Sequence, residues 1–125
     1  MNDQDMYESI RETARRFSRE KLLPRYIERE RSEDRVNRDL LREMGSLGLL
    51  APELPEQFGG LGLGCIASGI IAEEIGYGDF NIGYLPIMAA LQGKVIADFG
   101  QPHVAAHWVP RIISGDALVA VALTE

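Results

Sequence analysis

Only one run in this chain is patterned as a β-strand, and nothing else in the sequence is patterned to pair with it. Ala117-Leu118-Val119-Ala120-Val121-Ala122-Leu123-Thr124-Glu125 is almost continuously apolar, as expected of a strand buried in a sheet. Everything before it spaces its apolar residues at helical intervals. A lone strand leaves its backbone N–H and C=O groups without partners, and even a two-stranded hairpin is marginal in water. The expectation is therefore an all-α unit at residues 1–116, an up-and-down bundle of about six helices. Residues 117–125 would follow as the first strand of a β-domain that lies outside this sequence.

The helical signals are local and specific. Met6, Ile10, Ala14 and Phe17 recur with charges between them, so residues 3–20 predict an amphipathic helix. Pro24 interrupts it, and Leu22, Leu23, Tyr26 and Ile27 resume an apolar stripe. The sign-alternating run Glu28 to Arg35 predicts a solvated face or loop. Asn37 suits the N-cap of a helix that buries Leu40, Leu41, Met44 and Leu47, with Gly45 or Gly48 to close it. Residues 52–64 carry two prolines and four glycines, which predict a loop with positive-φ turns or close backbone approach. Ile66 to Ile75 is apolar nearly all round, as in a central helix, with Gly76 and Gly78 to end it. A further helix spans Ile82 to Phe99, with Pro86 near its first turn and Gly100 beyond it. Pro102 opens a last helix through Trp108, and Pro110 to Gly115 leads into the strand.

Composition narrows the function classes. The chain has 125 residues, 46% hydrophobic and 26% charged, with a net charge of -6. The bases lie mainly among acids in residues 11–43, so no unbalanced basic face is available for nucleic acid. No apolar run is long enough to span a bilayer. One cysteine, Cys65, excludes an internal disulfide, and a reducing cytoplasm is the default setting. The acidic start Met1-Asn2-Asp3-Gln4-Asp5 has neither the basic segment of a signal peptide nor the arginine-rich character of a presequence.

Several groups invite chemistry, and most have a plainer reading. Phe58-Gly59-Gly60-Leu61-Gly62-Leu63-Gly64 lacks the Gly-Lys-Ser/Thr ending of a P-loop and the spacing of a dinucleotide fingerprint, so it reads as a structural turn. Glu73 and Glu74 point about 100° apart on a helix and do not make a catalytic pair by spacing alone; surface charge, or a polar contact for one of them, is expected. His103 and His107 stand one turn apart, but no third metal ligand is near. Cys65 reads as a small packed residue. The stripe Ile82, Leu85, Met88 and Leu91 reads as core, or as one wall of an apolar pocket. Thr124 ends the strand and offers a hydroxyl and a backbone N–H to a planar heterocycle, although threonine is common at such positions.

In order and spacing, these pieces resemble the N-terminal part of the acyl-CoA dehydrogenase family. They are Phe17 with Pro24, Leu47-Gly48-Leu49, Pro52, Pro55-Glu56-Gln57-Phe58-Gly59-Gly60-Leu61-Gly62, Glu73-Glu74-Ile75, Phe99-Gly100, Val109-Pro110, Gly115-Asp116 and Ala122-Leu123-Thr124-Glu125. The resemblance covers essentially the whole chain. It implies a helical N-terminal domain, a middle β-barrel and a C-terminal four-helix domain, with FAD held among them in a dimer or tetramer. It also implies α,β-dehydrogenation of an acyl-CoA thioester, in which a glutamate takes the α-proton and hydride passes to flavin N5, with an electron-transfer acceptor downstream. Leu123 and Thr124 carry over as FAD contacts. Ile87 and Leu91 carry over as the wall of the acyl tail. No glutamate here matches the family's catalytic base, Glu125 included, so the segment alone is expected to be inactive. Two other readings stay open: a non-catalytic helical interaction module that pairs its terminal strand with another protein, and a flavin-dependent monooxygenase or oxidase on the same fold.

Overall fold

The computed structural model describes residues 2–33 and 37–124. Six α-helices are found among them: α1 (Asp3–Phe17), α2 (Tyr26–Arg31), α3 (Arg38–Ser46), α4 (Cys65–Gly78), α5 (Phe80–Phe99) and α6 (Pro102–Ser114). The helices pack in a chain of neighbours: α1 on α4, α4 on α5, α5 on α6, and α6 on α3. The all-α bundle is as the periodicity predicts. Its core joins Ala14 and Phe17 of α1, Leu41 and Met44 of α3, Ile71 and Ile75 of α4, and Val109 and Ile112 of α6. Helix α4 is apolar all round because it is flanked by both α1 and α5.

Local chemistry sets most of the helix ends. Asn2 caps α1 by accepting from the Asp5 N–H at 2.9 Å. Asn37 caps α3 through the N–H groups of Asp39 and Leu40, as its residue type predicts. Asp79 caps α5 through Asn81 and Ile82. Helices α3 and α6 run out at glycines with positive φ, Gly48 at 72° and Gly115 at 84°, the left-handed geometry that closes a helix. Pro24 does not simply break α1. The chain passes through a π-turn at Ser18–Leu22 and a 3-10 turn at Leu23–Arg25 before α2 begins, so the missing proline N–H is absorbed by a change of pitch.

Two contacts are made by main chain against main chain. A Cβ on Gly45 would overlap the Ser114 carbonyl, and one on Gly115 would overlap the Leu41 carbonyl, so α3 and α6 meet only because both residues lack side chains. Likewise a Cβ on Gly78 would strike Ser18, where α4 closes on the end of α1.

Three expected helix bounds need correcting. Helix α6 continues past Trp108 and through Pro110 to Ser114; Val109 and Ile112 are buried, and seating them in the core outweighs the one hydrogen bond that proline removes. Gly76 lies inside α4 and only Gly78 ends it. The charged run after Ile27 is helical through Arg31, and Arg29 is drawn inward to a buried partner; residues 34–36 of that run lie outside the described residues. Residues 117–124 form neither helix nor ladder. Ala117 and Val119 pack on the core, while Leu118, Val121 and Leu123 are exposed. A ladder requires a second backbone, and none of the described residues supplies one. Glu125 lies outside the described residues.

Candidate functional site

The residues of α4, α5 and the glycine-rich loop together build an apolar groove of about 630 Å³, within the size range of small-molecule sites. The loop wall is rigid for a stated reason. The N–H of Gly60 bonds the Pro55 carbonyl, that of Gly62 the Leu54 carbonyl, and that of Leu63 the Pro52 carbonyl, all at 3.0–3.1 Å. Gly59 and Gly62 take positive φ, 94° and 62°, and a Cβ on Gly60 would overlap the Leu54 carbonyl. The loop's turns therefore require glycine at positions 59, 60 and 62. Leu50, Pro52 and Leu63 face the groove from this side, with Pro86, Ile87, Ala90 and Leu91 facing it from α5.

Polar groups are few. The Ser68 hydroxyl of α4 donates to the Glu53 carboxylate at 2.6 Å, which ties the loop to the helix. Lys94 of α5 donates to Asp98 at 2.6 Å, one turn on. Cys65, expected to be packed, is exposed at the groove's edge; as the first residue of α4 it precedes that helix's buried face, which starts at Ala67.

Ile87 and Leu91 do line the groove, and each is about half exposed, 47% and 56%. The stripe Ile82, Leu85, Met88 and Leu91 splits: Ile82 is core, Leu85 and Met88 are half-buried, and Leu91 is open. Beyond them, Phe80, Tyr84, Val95 and Phe99 extend an exposed apolar face along α5. Leu123 and Thr124 lie at the other end of the chain, both exposed. The donor set at Thr124, a hydroxyl and a backbone N–H, suits one edge of a flavin ring, while the described residues build no cavity around it.

The remaining candidates resolve as structure. Glu74 is buried and accepts from Arg15 at 2.8 and 3.2 Å and from Arg11 at 3.1 Å, so the polar contact expected for one of the two glutamates is made by it. Hydrogen bonds from Arg15, opposed by burial and reinforced by Arg11, hold its carboxyl below the usual carboxylate range, the reverse of what a general base needs. Glu73 stays exposed and pairs with Arg11 at 3.3 Å. His103 and His107 are exposed, and His107 stacks edge-on against Trp108 at 4.8 Å. Among the described residues no group of three His, Cys, Asp or Glu is placed to hold a metal ion, and no helix is long and apolar enough to cross a membrane.

Sequence reasoning missed the groove's loop wall, having read residues 58–64 only as a turn. The available signal was Leu63 between Gly62 and Gly64, an apolar side chain on a glycine-rich loop.

Comparison with known proteins places the chain. Residues 4–116 match the family described as acyl-CoA dehydrogenase, N-terminal domain. The pig long-chain specific acyl-CoA dehydrogenase, mitochondrial, is 28% identical over 119 residues, which is 95% of this chain and 27% of that protein. The pig short-chain specific enzyme, also mitochondrial, is 31% identical over 122 residues, 97% of this chain and 29% of its own length. Among solved structures, a glutaryl-CoA dehydrogenase from Mycobacterium smegmatis in complex with FADH2 superposes with a TM-score of 0.81 at 26% identity, over 94% of this chain and 30% of that one. The chain thus spans somewhat more than a quarter of the length of these relatives. It belongs to the acyl-CoA dehydrogenase family, whose N-terminal helical domain it carries.

Proposed function

We propose that this chain is the N-terminal domain of an FAD-dependent acyl-CoA dehydrogenase that converts an acyl-CoA thioester to its α,β-unsaturated product. The observation that carries this reading is the family match over residues 4–116, joined to an apolar groove walled by Ile87 and Leu91. In that role the groove binds the acyl tail and excludes water from it, α5 orients the tail through those two side chains, and the catalytic base comes from outside this chain. Bound flavin supplies the hydride acceptor. Leu123 packs near its ring, and the Thr124 hydroxyl and N–H bond its edge, with residues 117–124 pairing into a neighbouring sheet. The enzyme is a dimer or tetramer, hands its electrons to a separate acceptor and works in the cytoplasm, in contact with neither nucleic acid nor membrane.

The test is spectroscopic. The full-length protein should be yellow, and its flavin absorbance should bleach when an aliphatic acyl-CoA is added without oxygen. Thr124→Val should weaken flavin retention or slow that bleaching while leaving the helical circular dichroism unchanged. A colourless full-length protein, or a Thr124→Val variant with unaltered flavin affinity and reduction, would refute the assignment or the role of Thr124 respectively.

A further inference from the structure

The groove's wall is apolar, and its only ionisable side chains among the described residues apart from Cys65 are Glu53 and Lys94. These two are not equally available. Lys94 is already engaged by Asp98 at 2.6 Å, one turn further along α5. Among the described residues Glu53 has no cation within ion-pair distance; the group it accepts from is the neutral Ser68 hydroxyl. That short bond fixes the carboxylate between the loop and α4 without neutralising it. Glu53 and Lys94 thus stand among walls made by Leu50, Leu63, Ile87 and Leu91.

From this we infer that Glu53, held by Ser68, is a specificity determinant: the groove accepts uncharged aliphatic acyl tails and rejects tails that end in a carboxylate. A terminal carboxylate entering the groove loses water among apolar side chains and meets a fixed like charge, while Lys94, the cation that lines the groove among the described residues, already holds Asp98. An aliphatic tail loses nothing by the same transfer and gains the burial of its methylenes. The inference rests on the proposed acyl-tail role of the groove and deepens it. It separates this protein from the relative whose name specifies a dicarboxylic thioester, the glutaryl-CoA dehydrogenase, although the two share one fold.

The experiment is equilibrium binding to the full-length protein, by calorimetry, of two non-reactive CoA thioethers of equal chain length, one ending in methyl and one in carboxylate. The methyl-ended ligand should bind at least about 10-fold more tightly, equivalent to about 1.4 kcal/mol. Glu53→Gln, which keeps an acceptor for Ser68 and removes the charge, should narrow that ratio several-fold. Equal binding of the two ligands, preference for the carboxylate, or a ratio that Glu53→Gln leaves unmoved overturns the inference. Flavin bleaching by the two corresponding thioesters is read in parallel. Bleaching at similar rates by both sinks the selectivity and leaves the dehydrogenase standing, whereas absence of both binding and bleaching sinks the two together.

Discussion

Arg29 and Asp79 lie 50 residues apart in sequence and 2.8 Å apart in space, guanidinium Nε to carboxylate. The same guanidinium reaches the carbonyls of Lys21 and Leu22, which lose helical partners where the turns around Pro24 change pitch. Asp79 in turn caps α5. One ion pair therefore ties the irregular end of α1, the exposed helix α2 and the start of α5.

Substitutions at Asp79 should separate the cap from the ion pair. Asp79→Asn keeps a side-chain oxygen for the Asn81 and Ile82 N–H groups and loses the charge facing Arg29, whereas Asp79→Ala loses both. Asp79 is nearly fully buried, so urea unfolding should rank wild type above Asn and Asn above Ala. The Ala variant should be lower by about 2–4 kcal/mol. Equal midpoints for Asn and Ala would show that the cap contributes nothing.

Glu74 gives the bundle an acid limit. Its carboxyl is held below the ordinary value of 4.5 mainly by the Arg15 hydrogen bonds, so the folded state binds that proton more weakly than the unfolded chain. The contribution is complete above pH 4.5 and is lost as pH falls through the lower folded value. Glu74→Gln should therefore lower the urea midpoint at neutral pH, and the gap to wild type should shrink on acidification below about pH 4. A gap constant with pH would show that charge is not what Glu74 contributes.

Two glycines on facing helices should respond in opposite directions. Gly76 has open space where its Cβ would stand, so Gly76→Ala should stabilise by about 0.5–1 kcal/mol through helix propensity. A Cβ on Gly83 would lie 3.0 Å from the Gly76 Cα, against main chain that has no rotamer to yield. Gly83→Ala should destabilise despite the same propensity gain, and thermal unfolding of the two variants decides the matter.

Leu54 and Gly93 should be energetically coupled. Leu54 is fully buried, and a Cβ on Gly93 would strike its side chain. Leu54→Ala should lose about 2–5 kcal/mol by opening a cavity, and Gly93→Ala should lose stability by overpacking. The double variant should be more stable than the sum of the two losses predicts, because the new methyl occupies the vacated space. Strict additivity would place the two residues out of contact.

The parts of this fold legible in the sequence were those fixed within a few residues. Asn37 as a cap, the amphipathic spacing of Met6 to Phe17 and the all-round apolarity of α4 each encode their structure locally. What stayed hidden depended on partners distant in sequence. Pro110 sits in a helix because Val109 and Ile112 have a core to enter. Arg29 leaves solvent because Asp79 waits for it, and nothing in the alternating charges around Arg29 singles it out. One wall of the groove carries Ile87 and Leu91, which the family resemblance singles out for the acyl tail, whereas its other wall reads in the sequence as punctuation. Glu53 gave no local sign at all, since its meaning comes from Ser68 across the cleft.

The bare-backbone joint between α3 and α6 narrows the alphabet at its two ends. Where side chains interlock, a loss on one helix is open to repair by a gain on the other; at Gly45 and Gly115 no reciprocal change restores the fit, because the obstacle in each case is a peptide carbonyl. A saturation library read out by folding should therefore leave these two columns with a single letter, while the leucines around them tolerate exchange.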